Sequence, residues 1–144
     1  MSVDDEIRGV LDRWTAALKQ RDLDALKAEY AADVRVFDVG AQTEGFDSLR
    51  SLWEGCFPYF QHEIGVERRG LQIKASSDLA VASFFSRMTG SSSDHPASQA
   101  WMRTTVCFKK TDGQWRIFHD HLSMPTDCGS EKPVYLSNAD VPSA

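Results

Sequence analysis

Between His62 and Pro125 the chain keeps a two-residue hydrophobic period through successive stretches, and no helical stretch interrupts them. Ahead of His62 the apolar residues recur mainly at steps of three and four. Helical periods followed by strand after strand do not build the alternating strand–helix–strand units of a parallel sheet. The order is that of an α+β domain with a curved, mostly antiparallel sheet wrapped around three N-terminal helices. Three amphipathic helices can cover only one face of such a sheet. An apolar cavity is therefore expected between the two layers.

The helical part divides into three. Ile7, Val10, Leu11, Trp14 and Leu18 share one face of a first helix, with Ser2 and Asp5 at capping-box spacing and Lys19-Gln20-Arg21 ending it. Asp22 is placed to cap a short second helix, whose buried stripe reads as Leu23, Leu26 and Tyr30. A strand over 34–39 and the loop GAQTEG follow. Asp47 is then placed to cap a third helix carrying Leu49, Leu52, Trp53, Cys56 and Phe57 on its apolar side, and Pro58 closes it.

Strand-like stretches follow over 62–75, 79–90, 99–109 and 115–124. In the first, Ile64 and Val66 occupy even positions but Leu71 and Ile73 odd ones, so a bulge or sharp bend is predicted near Gly70. Strict alternation in the last, WRIFHDHLSMP, puts Trp115, Ile117, His119, His121 and Ser123 on one face. Arg116, Phe118, Asp120, Leu122 and Met124 fall on the other. Residues 1–125 read as one domain, and 126–144 as a polar tail, partly extended or flexible, with one apolar patch at 134–136.

A formal charge of −5 and a pI near 5.3 argue against nucleic acid or an anionic membrane as partner, since both call for a basic face. The basic pairs Arg68-Arg69 and Lys109-Lys110 read as solvated strand ends. The acidic start MSVDDEIRG lacks the pattern of a signal peptide, and no apolar run approaches the ~18–20 residues of a membrane span. Cys56, Cys107 and Cys128 are odd in number and lack CxxC spacing. A cytoplasmic location is the expectation.

VLDRWTAALKQRDLDALKAEYAADVRVFD (10–38) and TDGQWRIFHDHLSMP (111–125) resemble the opening and the closing strand of the SnoaL-like family. That family belongs to the nuclear-transport-factor superfamily, whose fold is a cystatin-like α+β cone with an internal pocket. Its relatives include ketosteroid isomerases and kinase association domains, and its members range from isomerases, cyclases and dehydratases to non-catalytic dimerisation modules. The resemblance implies a homodimer formed through the open sheet face. It also matches Asp38 to the ketosteroid isomerase base on the first strand. The tyrosine of that enzyme's oxyanion hole corresponds to Trp14, and its protonated aspartate falls near Arg103 or Thr104. The base is retained at these positions and the oxyanion hole is not.

Asp38 ends the apolar face of Val34 and Val36, where desolvation would raise its pKa toward that of a useful base. As a strand-end carboxylate it could equally cap a turn or pair with an arginine. Arg103 alternates with Trp101 and Thr105, either to orient an acidic or carbonyl substrate or to form an ion pair on the outer sheet. His119 and His121 could serve as acid–base groups or as structural strand residues. No spacing beyond the pair supports a metal, and none is assigned. Asp120, between Phe118 and Leu122, falls on the opposite face from the histidines, so only one of the two sets should do chemistry; the match of Asp38 favours the Asp120 face. Trp14, Tyr30, Trp53, Tyr59 and Trp101 would either line a pocket for a flat ligand or fill the core.

The expected function is cofactor-independent acid–base chemistry on a small hydrophobic carbonyl compound. Asp38 or Asp120 would be the base, and a histidine or Arg103 the electrophilic partner. The alternative is a non-catalytic binding or dimerisation module, whose cavity its own aromatics would fill.

Overall fold

A computed structural model describes residues Met1–Ala144. Helix α1 (Val3–Lys19) begins where Ser2 Oγ accepts the Asp5 N–H at 3.1 Å and donates to Asp5 Oδ2 at 2.8 Å. Its Ile7, Val10, Leu11 and Leu18 are buried. Asp22 caps α2 (Leu23–Lys27) through the Ala25 N–H.

Tyr30 does not lie on the α2 stripe, because the helix ends at Lys27 and Tyr30 opens strand β1 (Tyr30–Phe37). Sheet pairing wins over helix continuation there: the Ile117 N–H donates to Glu29 O, and Tyr30 sits in register with Ile117. The GAQTEG segment contains a short strand, β2 (Gln42–Glu44), antiparallel to β1. Helix α3 (Phe46–Cys56) has Gly45 at its N-cap with φ 77°, a conformation glycine tolerates, and no side-chain cap. Asp47 lies inside the first turn, where its charge complements the helix N-terminus without capping it. Pro58 sits in the 3-10 turn Phe57–Tyr59 that follows.

Four long strands complete the sheet: β3 (Phe60–Ala75), β4 (Leu79–Ser91), β5 (Met102–Thr111) and β6 (Gln114–Ser123). The order is β2-β1-β6-β5-β4-β3, antiparallel throughout except for the parallel β1–β6 pair. The helices pack on one face of this curved sheet, and the buried core forms between Ile7, Val10 and Leu18 on one side and Phe84, Val106, Phe108 and Ile117 on the other. No helix is long and apolar enough to cross a membrane.

Two irregularities decide which residues face inward. The β3–β4 register shifts between Arg69 and Gln72, with Gly70 at φ 69°, where the parity change predicts a bulge. In β6, Ile117 pairs with Phe108 but His119 pairs with Cys107, so Phe118 is an extra, bulged residue. Alternation therefore restarts after Phe118. Trp115, Ile117, Asp120 and Leu122 take the inner side, while the exposed His121 points outward. Strict alternation across the whole stretch does not hold.

Of the two readings open to Trp101, pocket wall or core, the structure places it in the core. It is 0% exposed and contributes nothing to the cavity wall. Its ring is flanked by the guanidinium groups of Arg69 and Arg87, at 4.7 and 4.6 Å, and its Nε1 donates to Asn138 Oδ1 at 2.9 Å. Leu136 bridges to its backbone, and the Gly70 N–H donates to Ala144 O at 2.9 Å. The tail is thus docked on the sheet, with Trp101 as its anchor.

Candidate active site

A cavity of about 300 Å³ lies between the helices and the inner face of the sheet. Leu11 and Trp14 of α1 and Leu49, Leu52, Trp53 and Cys56 of α3 form one wall. Val36, Val66, Phe84, Val106 and Ile117 line the other. Charged and polar side chains are the minority in this apolar space.

Asp120 is only 7% exposed, and its Oδ1 is buried without a hydrogen-bond partner. Burial pushes its pKa up from 3.8 to about 7, and the nearby Asp38 charge adds to the rise. Arg68 and the His121 backbone N–H act in the opposite direction. The bulge at Phe118 is what turns this carboxylate inward.

Tyr30 is buried at the start of β1 and accepts a 2.7 Å hydrogen bond from Trp14 Nε1 on its hydroxyl oxygen. With an acceptor site thus engaged, the phenolic proton is left to donate. Burial, and then the Asp120 charge, push the phenol pKa up, so the group stays protonated. Trp14 in turn meets Trp53 edge-on at 6.2 Å. Thr104, at the position near which the isomerase acid falls, is hydrogen-bonded to Ser86 at 2.8 Å and is no acid.

Arg68 lies on β3 with its guanidinium carbon 5.6 Å from the centre of the Trp14 ring and 5.4 Å from that of Phe84. Its Nη2 reaches Leu11 O at 3.4 Å, and its Nε is buried and unpartnered. Burial lowers its pKa against the opposing charges of Asp12 and Asp120, yet an arginine so placed remains a cation.

Asp38 is exposed and directly follows the last residue of β1, at the cavity mouth. Its Oδ1 accepts the Val39 N–H at 2.7 Å, and its own N–H donates to Ala41 O at 2.8 Å. The turn-capping and pocket readings of this residue therefore coexist.

The cavity brings together Asp38, Asp120, Trp14, Tyr30 and Trp53. It leaves out four other sequence candidates. Arg103 donates from Nε to Ser123 Oγ at 3.2 Å on the outer face. His119 Nδ1 lies 2.8 Å from Arg35 O, and both histidine rings stand edge-on to Phe37, at 5.1 and 5.5 Å. No three His, Cys, Asp or Glu side chains converge anywhere in the chain in a way that could hold a metal. Trp101 anchors the tail. Conversely, Arg68 is a cavity residue that the reading of Arg68-Arg69 as a solvated strand end passed over. The signal was present: Arg68 continues the even-numbered face of Ile64 and Val66.

Residues 7–127 match the family model of the SnoaL-like domain. Among solved structures, an NTF2-like protein of unknown function from Pseudomonas putida is 31% identical with a TM-score of 0.79, covering 94% of this chain and 96% of that one. A Shewanella frigidimarina protein provisionally named a ketosteroid isomerase is 20% identical at a TM-score of 0.66, over 80% and 92% of the two chains. A Novosphingobium aromaticivorans protein provisionally named a scytalone dehydratase is 17% identical at 0.65, over 82% and 80%. Comparison with curated proteins yields no match. The chain belongs to the SnoaL-like domain family, with the NTF2-like, cystatin-like fold.

Proposed function

We propose that the cavity binds a hydrophobic, carbonyl-bearing small molecule and catalyses proton transfer at the carbon beside its carbonyl, without a cofactor. The observation that carries this reading is the Asp120 carboxylate: buried in an apolar cavity, with a free oxygen and a pKa of about 7. A base titrating near neutrality combines a substantial ionised fraction with useful proton affinity. Tyr30 supplies the complementary group, a protonated hydroxyl that hydrogen-bonds the carbonyl oxygen as it gains enolate charge. Isomerisation, cyclisation and dehydration can all start from this step, and the provisional names of two fold neighbours point to the same chemistry. Open space and a carboxylate with one unpartnered oxygen favour this reading over a non-catalytic module, whose cavity would be filled by its own aromatics.

The test is exchange of the α-protons of 2-tetralone in D2O, followed by proton NMR. The protein should accelerate exchange, and Asp120→Asn should lower the rate by roughly 10²–10⁴-fold, the usual worth of a positioned base. Equal rates for the two proteins contradict the proposal.

We also propose that the outer face of the sheet pairs with a second copy of the chain. Support comes from the family resemblance and from Leu79 and Val81, which are 53% and 42% exposed on the outer side of β4. Sedimentation should give a dimer at micromolar concentration; a monomer counts against the pairing.

A further inference from the structure

We infer that the ligand of this cavity carries a carboxylate, which pairs with Arg68. The inference rests on the proposed function and narrows its substrate class to hydrophobic, ring-bearing acids that also hold a carbonyl.

Two arginines reach the cavity wall, and they differ in what they are doing. Arg87 is committed: its Nη2 donates to both oxygens of Glu67, at 3.0 and 3.1 Å. Arg68 makes no ion pair. Asp12 and Asp120 influence it through space, but its one hydrogen bond is the long contact to Leu11 O. A desolvated charge without a partner is costly in a folded protein, and such charges are ordinarily paired.

The shape of the guanidinium says what the missing partner is. Its central carbon lies 5.6 Å from the Trp14 ring and 5.4 Å from the Phe84 ring, and Nε, on the same edge of the group as Nη2, has no hydrogen-bond partner. Parallel N–H groups along that edge match the two oxygens of a carboxylate. A ketone or ester offers no charge to offset this half-buried cation. Trp14 and Phe84 also line the cavity, so a flat apolar body attached to the carboxylate would rest against aromatic surface.

Calorimetric titration with 2-naphthoic acid and its methyl ester tests this on the unmodified protein. The acid should bind about tenfold or more tightly than the ester, the usual worth of a charge-assisted hydrogen-bonded pair. Arg68→Gln should erase the preference and Arg68→Lys should keep part of it. Equal affinities in the unmodified protein, a preference for the ester, or no binding of the acid overturns the inference, and this arm needs no variant to fold. The outcome is separable from the Asp120 proposal. Asp120→Asn should still prefer the acid, while 2-tetralone, which is uncharged, reports on Asp120 alone.

Discussion

Asp120 is the residue at which stability and proposed function pull apart. Its folded pKa of about 7 lies above the 3.8 of an unperturbed carboxyl, so the folded state holds the proton more tightly than the unfolded one. That contribution is fully present below about pH 4 and is lost as pH rises through about 7. A shift of this size corresponds to roughly 4 kcal/mol of stability at stake. Asp120→Asn should therefore gain in melting temperature relative to the parent between pH 5 and pH 8, as read by thermal unfolding at both values. A gap that stays constant with pH would mean the carboxyl is not perturbed by burial. Asp38 contributes to the rise from the cavity mouth, so Asp38→Asn should move the Asp120 midpoint down while leaving the group in place. Asp120 was legible in the sequence as a carboxylate between Phe118 and Leu122. The role of Arg68 was hidden, because a basic pair in a strand reads as surface until the neighbouring strand positions are assigned to a face.

At the scale of elements, periodicity carried most of the information, and it failed where the backbone departs from its period. The parity change at Gly70 was visible because apolar residues lie on both sides of it. The bulge at Phe118 was not, because His119 and His121 extend a false alternation and only pairing with β5 exposes the extra residue. Similarly, Tyr30 fits a helical stripe by spacing but joins the sheet because β6 offers it backbone partners. The tail is the other element that composition misrepresents, since its anchor is a tryptophan 35 residues upstream of Leu136. Trp101→Ala should cost about 3–5 kcal/mol in denaturant unfolding, as for other fully buried aromatics. Trp101→Phe, which loses only the Asn138 bond and part of the ring, should cost much less. A small effect of the alanine variant would show that the tail is not held through this ring.

At the scale of the whole molecule, an apolar cavity holds a buried carboxyl on one strand, a cation on another and a phenol on a third. The helix-then-strand order made the α+β fold readable. The cavity's chemistry was less readable because it depends on which way single residues turn at bulges and strand ends. The proposed chemistry depends on the ionisation of Asp120. A titration of its carboxyl carbon by 13C NMR, assigned by comparison with Asp120→Asn, measures that directly. A midpoint about pH 7 is predicted; a midpoint near 4, the ordinary carboxylate value, would contradict it.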